Sequence, residues 1–184
     1  MRFSKLILSS LVCLVAVNSA VAQTFEPAKE HELLKKDVGT WKASLKIWMG
    51  QEGKADPTAE PMESDGEEVN RMIGEFWSVS TFKGEFAGMP FEGQGVTGYD
   101  PKLKKYVGSW IDSVTPFSMH MLGTYDEKTK TLTSSSVGVG MDGEEVKGKS
   151  ELVYIDADHR RLTMYELSDG KEVKSMEINY VRVK

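Results

Sequence analysis

At 184 residues, 40% of them hydrophobic and 28% charged, the chain can bury a core of ordinary size, which excludes an intrinsically disordered segment. Acidic residues outnumber basic ones 28 to 23, a formal net charge of −5, and the charges are scattered, so nucleic acid and anionic lipid are poor partners. One cysteine, Cys13, leaves no intramolecular disulfide to form.

The amino end reads as an export signal. Arg2 and Lys5 stand ahead of an apolar run from Leu6 to Val17, and Ala20-Val21-Ala22 supplies the small residues of a signal-peptidase site before Gln23. That run is 12 residues, whereas a helix needs roughly 20 to cross a bilayer, so cleavage is expected and no membrane span is expected after it. Val12 before Cys13 does not fit a lipobox. The expected mature product is a single domain, residues 23–184, in a periplasm or the medium. Losing Arg2 and Lys5 takes its net charge from −5 to −7, and losing Cys13 leaves a hydrophobic core as its sole source of stability.

The first element of that domain is a short helix over Glu26 to Lys36, with Pro27 in its first turn, His31, Leu34 and Val38 at near-helical spacing, and Gly39 as its stop. The period then changes to two. Trp41, Ala43, Leu45, Ile47 and Met49 alternate with Lys42, Ser44 and Lys46, as in a strand with one buried face, and Trp48 breaks the pattern where a barrel rim would be covered. Gln51 to Met62, with Gly53, Pro57 and Pro61, reads as a loop. Nine further strands are predicted over 67–73, 76–82, 91–99, 105–113, 117–125, 131–139, 146–155, 161–167 and 173–183.

The turns between them echo one another. Tyr99-Asp100 leads into Pro101-Lys102-Leu103-Lys104, and Tyr125-Asp126 leads into Glu127-Lys128-Thr129-Lys130; Asp156-Ala157-Asp158 follows the same logic, since an aspartate side chain bonds nearby backbone amides. Asp142-Gly143 and Asp169-Gly170 are two more hairpin signals. Ten antiparallel strands in an up-and-down order leave two open edges unless they close, so the expected fold is an all-β closed barrel with a short N-terminal helix. Lys42, Ser44 and Lys46 on one strand, and Lys147, Lys149 and Glu151 on another, argue for water outside it and against an outer-membrane barrel.

Gly39-Thr40-Trp41 after a helix is similar to the Gly-x-Trp signature of lipocalins and other calycins. That resemblance implies a tryptophan at the barrel floor with an arginine of the last strand over it, here Trp41 and Arg182. Ten strands resemble the fatty-acid-binding and nitrobindin-type barrels more than eight-stranded lipocalins. A closer resemblance, from about Lys29 to Arg182, is to the domain-of-unknown-function family numbered 1579. It is carried by Glu30-His31-Glu32-Leu33, Val38-Gly39-Thr40-Trp41, Gly98-Tyr99-Asp100-Pro101, Tyr106-Val107-Gly108-Ser109-Trp110, and the stretches Asp158-His159-Arg160 and Tyr180-Val181-Arg182. It implies a calycin-like barrel and carries over no catalytic residue.

Chemical motifs are sparse. Gly93-Gln94-Gly95-Val96-Thr97-Gly98 matches a dinucleotide-binding string but runs into a turn and not a helix, so its glycines are read as relief of crowding in a coiled strand. Asp156-Ala157-Asp158 lacks the glycine and next ligand of a calcium loop, and the histidines lack zinc spacing, so no metal is expected. Haem is a minor reading with His120 as axial ligand. Ser134, Ser136, Gly138 and Gly140 share a strand face, leaving room if it points inward; alternation alone does not orient it.

Trp110, Asp112, Met119, His120 and Met121 are the candidate lining of a binding site, with Trp41 and Arg182 as closure and no catalytic residue assigned. The expected function is binding of a small, partly apolar molecule. Two alternatives stand beside it: a lyase or isomerase using Asp112 and His120 as acid and base, and an envelope or interaction protein with a filled core.

Overall fold

The computed structural model describes residues 25–50, 53–140, 143–168 and 170–184. The expected signal segment, residues 1–22, and the hairpin aspartates Asp142 and Asp169 lie outside the described residues. One helix, α1 (His31–Lys35), precedes ten strands: β1 (Gly39–Ile47), β2 (Met62–Ile73), β3 (Trp77–Phe86), β4 (Met89–Asp100), β5 (Lys105–Asp112), β6 (Met119–Asp126), β7 (Thr131–Val139), β8 (Glu145–Tyr154), β9 (His159–Ser168) and β10 (Lys171–Arg182). Each strand pairs antiparallel with its neighbours in sequence, and β1 pairs with β10, so the sheet closes as an up-and-down barrel. Closure leaves no unpaired edge, the hazard ten consecutive strands would otherwise carry.

The register fixes which side chains face inward. Trp41, Ala43, Leu45 and Ile47 are buried on β1 while Lys42, Ser44 and Lys46 are exposed, and across the closing seam Trp41, Ala43 and Leu45 sit opposite Arg182, Tyr180 and Ile178. Outside, Lys46 reaches Glu63 at 3.0 Å, and Lys149 lies 2.9 Å from both Glu151 and Glu172. These strands carry charge where a lipid-facing wall would be apolar.

Two strands are longer than the apolar alternation predicts. β2 begins at Met62, not Glu67, and β3 runs on to Phe86. The inward side of the added stretch of β2 carries Ser64 and Gly66; the Phe82 ring fills the space beside Gly66, where a Cβ would collide with it, and Ser64 Oγ donates to the Glu85 carbonyl. Hydropathy misses a strand whose inner face is small to admit a neighbour's aromatic. The helix is shorter than predicted, five residues without a side-chain cap at Glu30, and turns continue it to Val38. Its work is at the floor: Leu33 and Leu34 are buried against Tyr106 and Tyr154, with Tyr99, Tyr125 and Leu132 around them. His31 beneath is a core histidine, 3% exposed, bonded to the Ala28 carbonyl and edge-on to Phe76 and Tyr99.

The turns at the floor follow their sequence. Asp100 Oδ1 accepts from the Lys102 and Leu103 amides at 2.8 and 2.9 Å, Asp126 Oδ1 from Lys128 at 2.8 Å, and Asp156 Oδ1 from Asp158 at 2.8 Å. The echoed lysines Lys104 and Lys130 take the left-handed backbone at φ 55° and 53°.

Candidate functional site

The barrel is hollow. A cavity of about 410 Å³ runs from the floor to the opposite end, a size within the usual range for small-molecule sites. Its upper wall is largely apolar, with Ile47, Phe86, Phe91, Met164 and Met176, and carries Glu85 and Asp112 near the rim; its lower end holds Asp37, Glu68 and Arg160.

Trp110, on β5, lies against the wall formed by β4. Gly95 is its cross-strand partner; a Cβ on Gly93 would strike the indole, and one on Gly95 would meet Ser80 Oγ and crowd the ring. The same accommodation repeats outside, where Gly98 pairs with Trp77 and leaves room for that ring. The glycine string is therefore a bed for two tryptophans. Trp110 Nε1 donates to Asp112 Oδ2 at 3.1 Å, and Asp112 Oδ1 accepts from the Val114 and Thr115 amides at 3.0 Å, so this inward carboxylate fixes both the indole and the β5–β6 loop.

Met119 and Met121 line the cavity. His120, between them, does not. A strand sends successive side chains to opposite faces, so inward methionines put His120 outside, where it is exposed and sits 3.3 Å from Ser118 Oγ. This corrects the expected lining, and it removes both His120 as a haem ligand and the Asp112–His120 acid–base pair. Among the described residues no group of three metal-ligating side chains forms a cluster. Ser134 and Ser136 face inward, 9% and 8% exposed, which orients the strand of small residues that alternation left open.

The floor holds a group that the sequence reading did not single out. Arg160 of β9, 4% exposed, donates through Nη1 to Asp37 Oδ1 and through Nη2 to Glu68 Oε1 at 2.5 Å. Tyr154 Oη donates to Asp37 Oδ2 at 3.0 Å, Tyr180 Oη to Glu68 Oε2 at 3.1 Å, and Asn70 Nδ2 to Glu68 Oε1 at 2.7 Å. The Arg160 guanidinium lies 4.3 and 4.5 Å from the ring centres of Trp41 and Tyr180, and its buried Nε has no acceptor. A signal for this cluster was present. Arg160 shares the inward parity of Leu162 and Met164, and Glu68 that of Asn70 and Met72, so each is a charge on a buried face, which requires a partner.

Burial pushes the Asp37 carboxyl above its ordinary range, and Arg160 opposes that only in part. Burial, seconded by the neighbouring carboxylates, also holds the Tyr154 and Tyr180 hydroxyls far above theirs, so both are donors at any working pH. For Arg160, burial acts to lower its proton affinity but Asp37 and Glu68 outweigh it, and it stays a cation.

At the far side of Trp41's seam, Arg182 stacks 4.0 Å from the indole centre and donates to the carbonyls of Lys36, Val38 and Ala157. Trp41 Nε1 donates to the Asp37 carbonyl at 2.8 Å. Gly39, at φ 125°, brings the chain so close that a Cβ there would meet Arg182 Nη1 at 2.8 Å.

A family described as "Protein of unknown function (DUF1579)" matches residues 26–182. No curated protein matches the chain. Two solved structures share the barrel: Rv2717c from M. tuberculosis, with a TM-score of 0.60 at 14% identity over 86% of this chain and all of that one, and the S-type phycobiliprotein lyase CPES from Guillardia theta, with 0.54 at 14% over 84% of this chain and 93% of that one. At this identity the likeness is one of fold.

Proposed function

We propose a binding role for this chain, which belongs to the DUF1579 family: its calycin-like barrel takes up a small, largely apolar molecule through the end of the cavity opposite α1. The cavity of about 410 Å³ carries this reading, because a barrel built only as a scaffold would fill its interior with side chains. Gly93, Gly95, Ser134 and Ser136 spend inward positions on small residues, Met119 and Met121 supply adaptable apolar surface, and Trp110 forms one wall. The name of the Guillardia theta structure brings no reaction with it, and the expected Asp112–His120 pair does not converge, since His120 lies outside the cavity that Asp112 lines. The protein acts after export, on the strength of the charged, apolar and small-residue stretches within residues 1–22.

The test is native mass spectrometry of the protein from its own host, with tryptophan emission followed during titration of apolar compounds. A co-purifying small molecule, and an emission change that Trp110→Phe removes, are the expected results. A protein that carries no ligand and whose emission no compound perturbs is a filled or idle barrel, and the proposal fails.

A further inference from the structure

We infer that the cavity floor selects its ligand by positive charge, taking an apolar molecule that ends in a protonated amine; the inference rests on the binding role proposed above. Among the described residues lining the cavity, Asp37, Glu68, Glu85 and Asp112 are acidic and Arg160 is the sole basic one. Asp112 is spoken for by Trp110 and two backbone amides. At the floor, two carboxylates face one guanidinium.

The terminal nitrogens of that guanidinium are not open to an anion, and its one unpaired donor, Nε, is buried. Both of its terminal nitrogens already hold carboxylates, the rings of Trp41 and Tyr180 lie against it, and it is 4% exposed. An entering fatty-acid carboxylate would bring a third negative charge to a site whose one cation is engaged, in a low-dielectric setting where such charge is costly. The carboxylates, in contrast, have capacity left. A carboxylate offers about four lone-pair positions; Glu68 accepts from Asn70, Arg160 and Tyr180, and Asp37 from Arg160 and Tyr154. An ammonium group, all donor and no acceptor, fits what remains and supplies the missing positive charge. Burial raises the proton affinity of Asp37 and Arg160 offsets that only in part, so a further cation at the floor would favour its charged form. Apolar walls above the floor suit an alkyl or aryl body.

Three probes with one tail separate the possibilities: decylamine, decan-1-ol and decanoate, each titrated against the intact mature protein at neutral pH by calorimetry. Decylamine is expected to bind at least tenfold more tightly than decan-1-ol, and decanoate more weakly than both. Glu68→Gln should shrink the preference of amine over alcohol, and Asp37→Asn offers the same measurement at the other carboxylate should the first variant not fold. Equal binding of amine and alcohol overturns this inference while leaving the binding role intact. Tightest binding by decanoate overturns it in favour of a ligand acceptor at Arg160 Nε. No binding by any probe overturns this inference and counts against the binding role with it.

Discussion

Arg160 shows what a single inward charge demands. Its two carboxylate partners come from the segment after α1 and from β2, distant in sequence and met only inside the closed barrel. Replacing it by alanine leaves Asp37 and Glu68 buried without a cation, a loss on the order of 3 to 5 kcal/mol. Thermal unfolding of Arg160→Ala should show it as a large fall in midpoint, whereas an unchanged midpoint would mean that the carboxylates find water. Asp37 has a pH signature of its own. Its proton affinity is higher folded than unfolded, so the folded state binds more protons across that interval, and stability falls as pH rises from near 3.8 through the raised value. Asp37→Asn removes this contribution; denaturant titrations should show the stability difference between variant and wild type changing across that pH window and flat outside it.

Among the elements, the closing seam and the β4 glycines carry the sharpest expectations. Gly39→Ala forces an L side chain to φ 125° against Arg182, and should cost about 1 to 3 kcal/mol. Arg182→Ala loses its stacking on Trp41 and its bonds to carbonyls of the α1 segment and the β8–β9 turn, about 1 to 3 kcal/mol together; a chemical denaturation midpoint equal to wild type would show that the seam closes without it. On β4, Gly93→Ala pushes a methyl into the Trp110 ring. The indole must then leave its bed and its bond to Asp112, so ligand affinity and tryptophan emission should change together. An emission spectrum and affinity identical to wild type would mean that the wall yields elsewhere.

For the whole molecule, the proposed export carries the expectation that the product begins at Gln23; intact-mass measurement of the protein from its own host checks it, and retention of residues 1–22 would overturn it. Much of the architecture could be read from the chain because its causes are local. Period-two alternation on β1, aspartate-led turns at Asp100, Asp126 and Asp156, and the helix-then-Gly39-Thr40-Trp41 opening each act within a few residues, and closure follows from the number of consecutive strands. Trp110, Asp112, Met119 and Met121 line the cavity. His120 could not share a face with Met119 and Met121, and the register of β6 decided that the methionine face is the inward one. The polar floor was settled only by tertiary structure: Asp37, Glu68, Arg160, Tyr154 and Tyr180 lie on segments that the closed sheet alone brings to one point. So was the hollow interior, because a cavity is volume left over between opposite walls, and no stretch of sequence holds both.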